Sequence, residues 1–230
     1  MKTKKGKFIV IDGTDGSGKA TQVKLLVEKL KKVGKKVKTI DFPRYYDNFF
    51  GKFVGECLRG EYGNFLEVNP YIASVVYAAD RWESGETIKK WLAQGDIVIA
   101  DRYASSNQIH QGGKIKNEKE RKKFLNWLEK MEFEAFKIPK PDAIIYLNVP
   151  VDISQKLLEE KAMKDKKKYL KGKKDLAESS PKHLEESRES AIKLVKKNNS
   201  WVSINCVRRG DLMSREEISE IVFKKLSELI

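Results

Sequence analysis

FIVIDGTDGSGKAT, residues 8–21, decides how the rest of the chain is read. Phe8–Asp12 is short, apolar and β-branched, the pattern of a strand covered on both faces. Gly13, Gly18 and Lys19 then match Gly-x-x-x-x-Gly-Lys, a loop whose backbone N–H groups turn inward around an anion. Val23, Leu26, Val27, Leu30 and Val33 follow at spacings of three and four, an apolar helix stripe that Gly34 stops. A helix N-terminus behind such a loop adds partial positive charge where phosphate would sit. An ordinary Gly-rich turn accounts for the glycines, but not for the lysine or the strand and helix on either side. Two residues depart from the simple picture. Ala20 stands where the motif has a hydroxyl that holds magnesium, and only Thr21 follows it. Asp15 is repelled by polyphosphate, so it is expected to face a sugar hydroxyl, an arginine or a metal-bound water.

Four further segments read as buried strands: Val37–Asp41, Ile97–Asp101, Ala143–Asn148 and Val202–Asn205. Ser180-Pro181 can cap and start a helix to about Lys197. Ser214-Arg215-Glu216-Glu217 is a capping box before the apolar face Ile218, Ile221, Val222, Phe223 and Leu226. Strands alternating with helices predict an α/β fold, a parallel five-stranded sheet with helices on both faces. No internal repeat or low-complexity linker divides the chain. One domain over residues 1–230 is expected, with 161–180 as a mobile insert.

The net charge is +14, which suits nucleic acid, an anionic surface or a polyphosphate ligand. The charge is uneven: KAMKDKKKYLKGKK, residues 161–174, holds eight lysines against one aspartate. On charge alone this is equally a solvated lysine-rich face. Nothing resembles an RNA-stacking sheet motif or a helix-turn-helix, so no nucleic-acid partner is expected. No apolar run approaches the roughly 18–20 residues that span a bilayer, and no membrane partner is expected. The apolar part of the N-terminus, Phe8–Ile11, is too short for a signal peptide and reads as the first strand of a cytoplasmic protein. Cys57 and Cys206 make neither a disulfide framework nor a metal cluster.

Ligands of open α/β sheets bind at the carboxyl ends of the strands. The second strand ends in DFPR, Asp41–Arg44, and the third in DRYASSNQIHQGG, Asp101–Gly113. Between them VVYAADRWE, Val75–Glu83, has a helix pattern. Arg44, Arg81 and Arg102 therefore converge on the loop. Arginine grips phosphate with two parallel bonds, so a second anion site is expected beside the first.

These motifs together resemble the thymidylate kinases, which phosphorylate thymidine monophosphate to the diphosphate. The resemblance rests on the Asp15-containing loop, Phe42-Pro43 with Arg44, Ala-Ala-Asp-Arg-Trp-Glu at 78–83, and Asp101-Arg102-Tyr103 followed by Ser106 and Gln111-Gly112. PKPD at 139–142 adds to it. It runs in order from Phe8 to about Pro150 and more loosely beyond. The resemblance implies a P-loop nucleoside monophosphate kinase-like fold with a basic lid insert. It implies transfer of the γ-phosphoryl group of ATP to dTMP, giving dTDP and ADP, with magnesium as cofactor and a homodimer as the assembly.

By the same resemblance Gly13, Thr14, Asp15, Gly16, Ser17, Gly18, Lys19, Ala20 and Thr21 hold the ATP phosphates. Asp15, Lys19 and Arg102 are the expected catalytic residues. Arg44 and Arg102 clamp the acceptor phosphate, beside Phe42 and Pro43. Tyr77 stacks on thymine, Arg81 bonds its carbonyl, and Ser106 and Gln111 line the base pocket. Asp15 faces the sugar's 3′ end, and Tyr103 closes the sugar pocket with it. Asp101 orients magnesium through a water. Two departures remain. His110 stands where the family more often has Tyr or Phe. Gly16 is not basic, and members without an arginine in this loop carry the catalytic cation in the lid. Lys167, Lys168, Lys171 and Lys173 are then the candidates. Three other readings stand beside this one: a kinase of the same fold for another nucleoside or nucleoside monophosphate, a nucleic-acid-binding P-loop protein, and a pseudokinase, which only Ala20 favours.

Overall fold

Alternation within each strand explains how one sheet carries two cores. The computed structural model describes residues 5–164, 168–173 and 175–228. In it β1 (Lys7–Asp12), β2 (Val37–Asp41), β3 (Ile97–Asp101), β4 (Ala143–Asn148) and β5 (Trp201–Asn205) form a parallel sheet in the order β2-β3-β1-β4-β5. Phe8 and Val10 point to one face, packing with Ile88, Ile109, Ala191 and Leu194. Ile9 and Ile11 point to the other, packing with Leu26, Leu30, Ile218, Val222 and Leu226. Both faces are covered, which is why the strands are continuous apolar runs.

The helices are α1 (Lys19–Lys32), α2 (Phe49–Leu58), α3 (Pro70–Glu83), α4 (Gly85–Ala93), α5 (Ala104–Ser106), α6 (Glu118–Glu129), α7 (Val151–Lys164), α8 (Pro181–Lys197) and α9 (Arg215–Ser227). α5 runs on as a π-turn over Asn107–Gln111, and α6 as another over Lys130–Ala135. β6 (Val207–Arg208) and β7 (Asp211–Leu212) make a small hairpin before α9. The Ser180 hydroxyl accepts from the His183 N–H, and Ser214 with Glu217 closes the reciprocal capping box. Val33 is the exception on α1. It is 56 % exposed at the helix C-cap, one residue past the end of α1, because the chain turns away at Gly34 with φ +75°.

The order places β1 in the middle, where the crossovers change side between β3 and β4. The crevice of such a sheet opens there. The loop after Asp12 enters it directly. Register puts Asp41, Asp101 and Ile11 level at the carboxyl edge. The Arg102 N–H donates to the Ile11 carbonyl at 3.0 Å, so the turn after β3 is pinned beside the turn after β1.

Candidate active site

The loop has the shape an anion needs. Gly16 and Gly18 adopt φ +78° and +82°, which other residues reach only with strain. A Cβ on Gly16 would lie 2.2 Å from the Ser154 carbonyl oxygen. Lys19 is buried, and its Nζ donates to the carbonyls of Gly13 (3.0 Å) and Thr14 (2.9 Å). Burial, then the Arg102 charge, pulls its pKa down to about 8, while Asp15, Asp101 and Asp12 oppose the shift. The Thr14 and Ser17 hydroxyls are buried with no partner among the described residues, which suits a polar ligand arriving at the loop.

Arg102 joins this loop to the opposite wall. Its Nη2 meets Asp15 Oδ1 at 2.6 Å, and its Nη1 meets the Gly13 carbonyl at 3.3 Å and His110 Nε2 at 3.1 Å. Asp12 lies 3.7 Å away. Burial disfavours the guanidinium charge, but Asp15, Asp12 and Asp101 outweigh it and hold the pKa above its ordinary value. The carboxylate at position 15 thus has an arginine as a partner. Because Arg102 only donates, His110 Nε2 must be the lone-pair nitrogen and Nδ1 carries the proton. Nδ1 faces Ser187 Oγ (3.0 Å) and His183 Nε2 (3.3 Å) on α8. Burial and the Arg102 charge keep His110 neutral by pushing its pKa well below 6.5.

Further along the wall Arg81 and Glu132 form a buried, two-bond ion pair, with Nε to Oε2 at 3.0 Å and Nη2 close to Oε1. Asn107 supports the same carboxylate at 3.0 Å. Gln111 is buried with its Oε1 unpartnered among the described residues. Tyr77 packs beside Phe65 at 5.8 Å between ring centroids. Phe65, Tyr77, Arg81, Asn107 and Gln111 line one cleft of about 660 Å³ with Asp15–Thr21, Phe42, Pro43, Asp101, Arg102, Tyr103, Ser106 and His110, and Glu132 lies behind Arg81. Asp101 sits at its floor. Burial raises its pKa, and Lys19 and Arg102 counter that.

Four expected site residues, Arg44, Lys168, Lys171 and Lys173, do not line the cleft. Arg44 turns to Asp47 at 2.9 Å and does not line the cleft. Tyr103 is wholly buried between Phe8 (4.8 Å) and Phe42 (5.6 Å), with Arg81 and Glu132 as the charges near its hydroxyl. His110, not Tyr103, touches the Arg102–Asp15 pair. Ser106 lines the cleft and donates to Asp12 at 2.9 Å. Lys168, Lys171 and Lys173 are exposed and outside the cleft; Lys167 lies outside the described residues. Lys171 and Lys173 are near Glu61, just after α2, where they help lower its pKa after Arg59. Among the described residues the insert contributes Tyr169, Asp175, Ala177 and Glu178 to the cleft.

Asp12, Asn107, Glu132 and His183 were not legible as site residues. Asp12 had a signal, since it ends the strand before the loop. It accepts from Ser105 at 2.5 Å, Ser106 and the Gly13 N–H at 2.8 Å, which fixes the loop's entry. The other three act through partners far away in the chain. At the other end of the cleft Leu157, Leu158, Leu212, Met213, Arg215 and Ile218 form a mostly apolar mouth beside the N-terminus of α1.

The thymidylate kinase family model matches residues 11–216. The chain is 32 % identical over 221 residues to the thymidylate kinase of Thermosipho africanus (strain TCF52B), covering 95 % of this chain and 98 % of that one. It is 32 % identical over 158 residues to the thymidylate kinase of Mycobacterium tuberculosis (strain ATCC 25618 / H37Rv), covering 69 % and 73 %. A solved thymidylate kinase from Candida albicans superposes with a TM-score of 0.71 over 97 % of this chain and 92 % of that one. Its identity is 22 %, so that likeness speaks for the fold.

Proposed function

This chain belongs to the thymidylate kinase family, whose donor is ATP, and we propose that Arg102, Asp15 and Lys19 carry its chemistry. It transfers the γ-phosphoryl group of ATP to dTMP, giving dTDP and ADP. The observation that carries the division of labour is Arg102, which bridges the phosphate loop and the acceptor wall. Donor phosphates sit on the loop amides with Lys19 across them. The acceptor phosphate takes the Arg102 fork, in competition with Asp15. An oxygen of dTMP then attacks the γ-phosphorus while the bond to the β–γ bridging oxygen breaks. Little covalent help is needed, and alignment with fixed positive charge does most of the work. Tyr77 supplies a face for thymine, Arg81 a donor for its carbonyl, and Gln111 Oε1 an acceptor for its N3–H. Phe42 and Pro43 close the side of this pocket. Arg44 is a reserve cation that must leave Asp47 to reach the phosphate.

Magnesium supplies charge neutralisation on the phosphates when bound. The residues fit such an ion sparingly. Among the described residues no three His, Cys, Asp or Glu side chains cluster to hold a metal. Magnesium takes few protein ligands and keeps several waters, so Asp101 acting through water suffices beside Ala20. The whole chain is proposed to work as one domain. Its two buried, unbridged cysteines suit a reducing cytoplasm, the proposed location. Among the described residues no helix is long and apolar enough to cross a membrane.

A coupled assay over all natural nucleoside monophosphates and thymidine tests this reading. dTMP should give the highest kcat/KM, thymidine no turnover, and a chelator should abolish the reaction. A tenfold preference for another monophosphate, or full activity in chelator, would refute it.

A homodimer is proposed through α3. Ile72, Val75 and Trp82 share one helix face and are 60 %, 39 % and 54 % exposed, with Phe49 of α2 at 72 %. Large apolar patches of this kind mark protein contacts. Ile72→Glu should sediment as a monomer where the wild type is a dimer. An unchanged mass for the variant would rule out this face.

A further inference from the structure

The chain has two histidines, and the fold brings them together across 73 residues. The π-turn that carries His110 is seated closely on α8. Gly113 follows the turn, and a Cβ there would lie 2.8 Å from the Glu186 carbonyl oxygen. The Ser190 hydroxyl donates to the Gln108 carbonyl at 3.0 Å, and Arg121 donates to the Ser190 carbonyl at 3.0 Å. The rings of His110 and His183 stand 5.3 Å apart between centroids, with planes 23° from parallel. Both line the cleft, while Ser187 is wholly buried.

Arg102 starts from a left-handed backbone, and its far end is held from several sides. Nη1 donates to the Gly13 carbonyl and to His110 Nε2, and Nη2 meets Asp15. The acceptors differ in what they do to an incoming phosphate. Asp15 competes with it and repels it. His110 is neutral, so it orients the guanidinium without cancelling its charge or opposing the phosphate. Only one protonation state does this. A lone pair must face Arg102, which puts the proton on Nδ1, and an imidazolium has no lone pair to offer. α8 selects that state. Ser187 Oγ and His183 Nε2 stand 3.0 and 3.3 Å from Nδ1, and both can accept from it. Burial pulls the His183 pKa down to about 4, with Asp15 the largest charge opposing the shift, so His183 too is neutral and has a lone pair.

We propose that His110 is a positioning residue of the phosphate clamp. Its Nε2 lone pair holds the Arg102 guanidinium in place for the acceptor phosphate, and Ser187 and His183 fix the tautomer that makes this possible. The inference rests on the reading of Arg102 as the clamp. When the phosphate takes the place of Asp15, Nη1 stays on His110 and the Gly13 carbonyl, so the guanidinium keeps its direction through the exchange.

With two histidines in the chain, the tautomer is directly readable. In a long-range proton–nitrogen correlation spectrum at neutral pH, with His183→Phe to assign the signals, His110 should be protonated at Nδ1 and carry its lone pair on Nε2. This readout needs no turnover. Kinetics then test the role. His110→Phe should lower kcat/KM for dTMP about tenfold, the scale of one acceptor lost from a charged donor. KM for ATP should stay within about twofold, and so should binding of thymidine, which has no phosphate for Arg102 to grip. His110→Gln places a carbonyl oxygen near the Nε2 position and should recover most of the loss. His110→Asn, whose amide reaches only the Nδ1 position, should not. A residue needed only for packing would give the opposite ranking, with the ring-keeping Phe variant the mildest. An Nε2–H tautomer in the wild type would overturn the proposal. So would a Phe variant within about twofold of wild type on dTMP, equal losses for thymidine and dTMP, or a Gln variant no better than the Asn variant. A wild type without turnover on dTMP would refute the functional reading instead, and the tautomer would still decide the His110–Arg102 contact.

Discussion

Replacing Arg102 with alanine should lower kcat/KM for dTMP about 10³-fold, close to 4 kcal/mol, the scale of an arginine aimed at a transferring phosphoryl group. Three losses add. The fork that orients the acceptor phosphate goes. The charge nearest the developing negative oxygens goes with it. The third loss is indirect: Asp15, now 2.6 Å from Arg102, loses this counter-charge beside the ATP polyphosphate and the acceptor phosphate. Arg102→Lys keeps the charge but not the planar fork, so it should recover only part of the rate. KM for ATP should change little, because Lys19 and the loop amides stay in place. Binding of thymidine, which has no phosphate, should weaken far less than binding of dTMP. Equal losses for the two ligands would remove Arg102 from the phosphate clamp. Backbone relaxation also contributes, since residue 102 sits at φ +67°. A matched thermal melt separates that from the kinetic loss.

The sheet was legible because its strands are covered on both faces. A buried parallel strand carries its burial as an uninterrupted apolar run, and all five appear within one residue of where the runs place them. The phosphate loop was legible because its geometry needs glycine and lysine at fixed spacing. The acceptor wall was legible only in part. Arg81 announces itself in the helix pattern, but its meaning depends on Glu132, 51 residues later in a π-turn with no signature of its own. A buried arginine without that carboxylate would be a severe liability. His110 was noticed as unusual, yet its partners His183 and Ser187 come from α8, across the fold. The insert shows the limit most plainly. Its lysines dominate composition, and composition places charge but not direction. Two aromatic residues, Tyr45 and Tyr169, decide where the segment rests, and their pairing spans more than a hundred residues of chain. Residues that act through sequence-local geometry could be read; those that act through a distant partner could not.

Lys19 gives the second large effect, and it is visible in pH as well as in rate. Lys19→Met should lower kcat about 10²- to 10³-fold, the range for losing one preorganised group on the transition-state charge. KM for ATP should rise too, because the side chain now spans the Gly13 and Thr14 carbonyls at the mouth of the loop. In the free enzyme its pKa is lowered to about 8, first by burial and then by Arg102. The ammonium therefore starts to lose its proton just above neutrality. kcat/KM for ATP reports the free enzyme, so it should fall as pH rises past about 8. Bound polyphosphate favours the charged form, so the alkaline limb of kcat should lie at higher pH. Stability runs the opposite way. The unfolded chain holds this proton more tightly than the folded one. Between about 8 and the ordinary lysine value of 10.5 the unfolded state binds more protons, and this group's contribution to stability rises with pH. Lys19→Met removes a buried charge and should leave the ligand-free protein at least as stable as wild type near neutral pH. It should also erase the alkaline limb of kcat/KM for ATP, while retaining whatever lower rate the loop amides support. A limb that persists unchanged in the methionine variant would assign it to another group, and a melting temperature that collapses would show that Lys19 holds the loop together rather than the nucleotide.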